Sequence, residues 1–200
     1  MEFQHVNVKL FVEDGEKVDL EVLIPVFHSW IQNQAAGELL LDVADYRHIR
    51  SGPGVILIGH EGNYSLDNTG GRLGVRYNRK AALEGTNQDR LAQATHAALA
   101  ACRRLETEPR LGGTIRFNGC ELEVLINDRL LAPNTRETRP ATDSEFRTFF
   151  STLFGDIEYA ASYPLDPRSL FSLHVKASQA LDTAALLNNL NSMAPVSHQG

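Results

Sequence analysis

The stretch from residue 39 to 80, LLLDVADYRHIRSGPGVILIGHEGNYSLDNTGGRLGVRYNRK, constrains the fold more than any other part of the chain. Its apolar runs at 39–44 and 55–58 do not alternate, which is the pattern of strands covered on both faces. Gly52-Pro53-Gly54 sets a turn between them. Residues 64–67 and 73–77 flank Asn68-Thr69-Gly70-Gly71, a hairpin signal. Gly74, inside the second of these strands, marks a bulge or a close backbone approach.

Upstream, Val6, Val8, Leu10 and Val12 alternate with His5, Asn7, Lys9 and Phe11, giving a strand with one buried face. Asp14-Gly15 predicts a hairpin loop over 13–17 and a returning strand over 18–24. Pro25 ends that strand and opens a helix through Phe27, Trp30, Ile31 and Gln34, which Gly37 stops. The competing assignment is one helix from Asp19, on which Leu23, Val26, Phe27 and Trp30 share a face. Pro25 inside that helix would cost about 3 kcal/mol, so strand followed by helix is preferred.

Downstream, Thr86 and Asp89 start a helix whose face carries Leu91, Thr95, Ala98, Cys102 and Leu105. Asn118-Gly119 predicts a tight hairpin between Ile115/Phe117 and Leu122/Val124/Ile126. Residues 127–141 read as a long polar loop, and Thr142 with Glu145 as the capping box of the next helix. On that helix Phe146, Phe149, Phe150, Leu153 and Phe154 fall on one face. Ile157, Tyr159, Ala161 and Tyr163, then Phe171, Leu173 and Val175, alternate as two more strands. Asp182 caps a last helix carrying Leu186, Leu187, Leu190 and Met193.

Hairpins followed by helices define an α+β class: an antiparallel or mixed sheet with the helices mainly on one side. Residues 109–113 could divide the chain into two ferredoxin-like halves sharing one sheet. A single domain over 1–193 with a flexible tail over 194–200 is preferred.

The net charge of -6 argues against a nucleic-acid partner, because phosphate binding needs a basic field. The longest apolar run is far short of the roughly 20 residues a membrane helix needs, so no membrane association is expected. The acidic N-terminus lacks the layout of a signal peptide, which predicts a cytoplasmic protein. Cys102 and Cys120 form no CxxC pair, so neither zinc nor a disulfide framework is expected. The chain has no Gly-rich dinucleotide fingerprint opening a helix, no phosphate-cradling P-loop and no nucleophile elbow.

Three groups could carry chemistry. The first is His60, Glu61 and Asp45, with Asp42 and His48, at the ends of the two strands in 39–58. Histidine with carboxylates can share proton transfer or ligate a metal, although this spacing matches no established metal motif. The same residues could simply cap turns. The second is Arg72, Arg76, Asn78, Arg79 and Lys80, where Arg72, Arg76 and Asn78 share a strand face by period two. Such a row can hold a carboxylate or phosphate, or can pair with neighbouring acids. The third is the arginine-bearing loop, whose Arg129, Arg136 and Arg139 could close over an anion.

Two functional classes follow. The preferred one is a non-enzymatic binding protein that holds a small anionic ligand or a protein partner and associates as a homo-oligomer. The alternative is an enzyme using His60 and Glu61 as acid–base groups or metal ligands. The cofactor and the metal are unspecified by these residues.

Overall fold

The computed structural model describes residues 1–15, 18–164, 166 and 168–192. Eight strands form one fully antiparallel sheet: β1 (Val6–Val12), β2 (Leu40–Tyr46), β3 (Gly54–Gly59), β4 (Gly62–Asp67), β5 (Gly74–Arg79), β6 (Phe117–Ile126), β7 (Tyr159–Ser162) and β8 (Phe171–Ala177). Their order across the sheet is β2-β3-β4-β5-β1-β6-β8-β7. The helices are α1 (Leu23–Gln32), α2 (Asn87–Glu106), α3 (Thr138–Phe154) and α4 (Thr183–Asn191). The class is α+β, as the hairpin-and-helix rhythm predicts.

The first strand in sequence lies in the middle of the sheet, between β5 and β6. Strands from either side of residues 109–113 therefore share one ladder. On one face of β1, Val6, Val8, Leu10 and Val12 join the apolar core. That face carries the helices: α2 packs across β1 and β5, α1 covers β2 and β3, α4 touches β6, and α3 leans on α2 and α4. Each fully buried aliphatic or aromatic side chain contributes about 1.5–3 kcal/mol. The capping box at Thr86 forms as expected: its hydroxyl accepts from Asp89 N, and Asp89 accepts from Thr86 N at 2.7 Å. The phenylalanine face of α3 is buried throughout.

Several local expectations need correction. Residues 18–24 do not return as a strand. A short 3-10 turn (Leu20–Val22) leads straight into α1, and Leu23, Val26, Phe27 and Trp30 form its buried face. Pro25 is the third helical residue, where a missing N–H costs no helical hydrogen bond. That position removes the objection to the competing helix. Residues 39–44 are not covered on both faces, because β2 is an edge strand: Leu40 is buried, whereas Leu41 is 50% exposed. Likewise α3 starts at Thr138, with Pro140 in its first turn, so Thr142 is interior. The Thr142 hydroxyl donates to Thr138 O and Arg139 O instead of capping. Met193 and the tail from residue 194 lie outside the described residues.

The Asn118-Gly119 step makes no hairpin. β6 runs through it, and the register against β1 shifts between Leu10 and Val12. The Asn118 side chain accepts from Cys120 N, an Asx turn inside the strand. The glycine is needed there because a Cβ would sit 1.6 Å from the backbone oxygen of Leu181. Gly74 has the close approach expected of it, since a Cβ would lie 2.4 Å from Leu10 O. Urea unfolding should show that Gly119→Ala destabilises the fold by about 1–3 kcal/mol or more, the cost of forcing atoms into a packed interior. An unchanged midpoint would mean that the segment before α4 moves aside freely.

Candidate functional site

The face of the sheet away from the helices is polar, and yet much of it is buried. The register places Ile56, Ser65, Arg76, Lys9, Glu123, His174 and Ser162 side by side across seven strands. One step along the strands, Asn63, Asn78 and Asn7 form a parallel row of amides. A cavity of about 350 Å³ opens over the β8 end of the charged row, walled by Phe11, Thr69, Arg72, Glu123, Tyr163 and His174 among others.

At the centre of the charged row Lys9 Nζ donates to Asp67 Oδ1 at 2.7 Å and to Thr69 O at 3.1 Å. The two side chains are 1% and 2% exposed. Asp67 is completed by Thr69, whose N–H donates to Oδ1 and whose hydroxyl donates to Oδ2. Burial pulls the Lys9 ammonium below the usual lysine value, against the opposing pull of the Asp67 charge.

Beside this pair a second cluster forms. Arg72 grips Glu121 with two hydrogen bonds of 2.7 and 2.8 Å, and its guanidinium stacks 3.9 Å from the centre of the Phe11 ring. His174 Nε2 lies 2.6 Å from Glu121 Oε1. The Arg72 hydrogen bonds, helped by His174, hold the Glu121 carboxyl below the usual range despite its burial.

Arg76 is different. It is 15% exposed, and its guanidinium makes one long hydrogen bond to Asp67 Oδ2 at 3.4 Å and a looser ion pair with Glu123 Oε2 at 3.6 Å. Its Nε is buried with no hydrogen-bond partner among the described residues, and so are Ser65 Oγ, Asn7 Oδ1 and Asn63 Oδ1 around it. A guanidinium offers five donors, and here they are poorly used.

Of the residues singled out from sequence, the fold brings Arg72, Arg76 and Asn78 together on this face. Arg79 and Lys80 lie elsewhere, at the β3–β4 turn. Arg79 is buried and donates to Glu61 Oε2 at 2.7 Å, and Lys80 donates to Gly59 O. Arg129 and Arg136 are exposed and form no salt bridge among the described residues. They follow β6 at its Ile126 end, whereas Arg72 sits at the Glu121 end.

The acid–histidine group is not assembled. β2 and β3 pair antiparallel, so Asp45 opposes Val55 while His60 follows Gly59 at the other end, roughly 16–17 Å along the strand. Asp45 is bound by Arg47, whose hydrogen bonds hold its carboxyl down at about 2. Asp42 accepts from Val43 N. His48 faces Tyr46, and His60 is exposed. Among the described residues no group of three His, Cys, Asp or Glu side chains is arranged to hold a metal ion.

Lys9, Asp67, Glu121, Glu123 and His174 were not identified from sequence. Each sits on the polar phase of an alternating strand, which is visible in the chain. What is not visible is that β1 lies between β5 and β6, and this order brings them together. No protein-family model matches the chain, and no curated protein matches it.

Removing one partner of a buried ion pair costs about 3–5 kcal/mol, whereas replacing both by apolar groups is often neutral. Lys9→Met should therefore lower the urea midpoint sharply, and Lys9→Met with Asp67→Leu should restore most of it. A double variant as unstable as the single one would contradict this. Glu121, with its lowered folded value, adds stability above the ordinary 4.5 and loses it as pH falls through the folded value. The gap in melting temperature between the native protein and Glu121→Gln should narrow below pH 4.5. A constant gap down to pH 3 would refute that linkage.

Proposed function

We propose that this chain is a non-enzymatic binding protein that holds a small anionic ligand on the open face of its sheet, against Arg76. One observation carries the reading: a largely buried guanidinium whose Nε has no partner among the described residues and whose contacts with Asp67 and Glu123 are long. Buried polar groups are normally hydrogen-bonded, and leaving a charged one short costs several kcal/mol. A carboxylate or phosphate would complete it with charge-assisted bonds. The surrounding charges support such a ligand. Lys9, Arg72 and Arg76 balance Asp67, Glu121 and Glu123, so the face presents no net negative charge to repel an anion.

The same reading makes the protein cytoplasmic, in keeping with two unbridged cysteines. It also includes self-association along β2, where Leu39, Leu41, Tyr46 and Ile49 are exposed. Asp42 and Asp45 occupy backbone amides on that edge, so the contact would be made by side chains rather than by strand pairing.

Thermal shift with citrate, inorganic phosphate and a nucleoside monophosphate tests the ligand class. At a hundredfold excess over its dissociation constant a binding anion adds about 2.7 kcal/mol to the stability of the native protein. Arg76→Leu should keep most of its own melting temperature, because Lys9 still satisfies Asp67, and should lose the anion response. A native protein blind to all three anions, or a variant that responds equally, would overturn the reading.

A further inference from the structure

A second cavity, of about 300 Å³, lies on the helix side of the sheet, between the segment after α1, the β3–β4 turn and α2. Its floor is small and apolar, with Ala35, Ala36, Ala97 and Ala101 leaving the space open. Two aromatic rings, Trp30 and Tyr64, are buried in its wall. Its ionisable groups are Glu38, Glu61, His96 and Arg104, with the Tyr64 phenol.

We infer that this cavity is a binding site for a small organic cation, a primary amine or guanidine, held by Glu38. The hydrogen-bonding inventory of the wall is the reason. Glu38 Oε2 accepts from Glu61 N at 2.6 Å and from Gly62 N at 2.8 Å, which pins the carboxylate in place. No basic side chain among the described residues forms an ion pair with it; the Tyr64 phenol lies against it, and the carboxylate charge adds to the burial that pushes that phenol up. Gly59 makes the approach possible, since a Cβ there would sit 2.5 Å from that oxygen. Glu61, half exposed, pairs with Arg79. The amide of Gln93 donates to the Tyr77 hydroxyl, while its Oε1 is buried with no partner. The wall thus holds a carboxylate fixed by two amides and an amide oxygen without a partner among the described residues.

The aromatic side of the cavity already shows what it takes. The exposed Arg104 lays its guanidinium carbon 5.5 Å from the centre of the Trp30 ring. That is cation–π distance, and it is occupied by a residue on the rim that can swing away. Arg104 is therefore a competitor for the ligand. A small volume, an aromatic wall and one fixed carboxylate match recognition of an ammonium or guanidinium group. The site is separate from the open face, so it stands or falls independently of Arg76.

The Glu61 and Gly62 amides donate to Glu38, so their resonances in a nitrogen–proton correlation spectrum report directly on this carboxylate. The ¹⁵N-labelled protein would be titrated with 1,4-diaminobutane and tetramethylammonium, with succinate as an anionic control of similar length. The amines should shift both resonances to saturation and succinate should not. Glu38→Gln keeps an oxygen for the two amides and should weaken amine binding at least about tenfold, the scale of one charge-assisted hydrogen bond. Arg104→Ala should tighten it. Absence of a saturable shift up to about 10 mM, in both the native protein and Arg104→Ala, would overturn the assignment. So would equal shifts from succinate, or unchanged affinity in a well-folded Glu38→Gln.

Discussion

The ion pair of Lys9 with Asp67 is the constraint around which the open face is built. An ammonium and a carboxylate without solvent contact must satisfy each other and nearly every remaining donor and acceptor. Thr69 supplies the missing partners, and it does so because the β4–β5 turn folds back over the strand ends. Gly74 contributes by omission: a Cβ there would lie 2.4 Å from the backbone oxygen of Leu10 and 3.0 Å from Lys9 Cε. One lysine on β1 thus reaches across β5 to tie the end of β4 to the turn that follows it.

From that pair outward the face divides into satisfied and unsatisfied groups. Arg72, Glu121 and His174 form a closed set, with short hydrogen bonds and a stacked guanidinium. Arg76, Ser65, Asn7 and Asn63 do not. A sheet face that served only stability would gain more from apolar residues, because buried polar groups are costly unless fully bonded. Arg76 makes only long contacts with Asp67 and Glu123, and its Nε has no partner among the described residues. The helix side of the sheet is the reverse. There an apolar core packs under the helices, and an alanine-lined hollow lies beside a carboxylate that pairs with no basic side chain among the described residues.

Much of the fold was legible in the sequence. The hairpin signal Asn68-Thr69-Gly70-Gly71 located the strands that flank it, period-two alternation located those around Pro164, and helical spacing located α2 and the phenylalanine face of α3. The failures have physical causes. Alternation in 18–24 was overridden by an apolar helical face that continues from Leu23 to Trp30, with Pro25 harmless in the first turn. Asn118-Gly119 has the chemistry of a hairpin turn, but the backbone of Leu181 passing over Gly119 uses the glycine for close packing. The candidate site was legible in part. Arg72, Arg76 and Asn78 could be placed on one strand face, because two-residue periodicity is local. Their neighbours Lys9, Glu121, Glu123 and His174 arrive through strand order, which no local pattern specifies. The grouping of His60 with Asp45 failed for the same reason, since adjacent strands running antiparallel send successive strand ends to opposite sides.

The most direct test of the open-face site is native mass spectrometry of the untagged protein, purified at low ionic strength, beside Arg76→Leu prepared identically. The prediction is a small anionic adduct on the native chain that the variant lacks, with the subunit count read from the same spectrum. Bare protein in both samples, or an adduct that survives the loss of Arg76, would contradict a ligand site centred on this arginine.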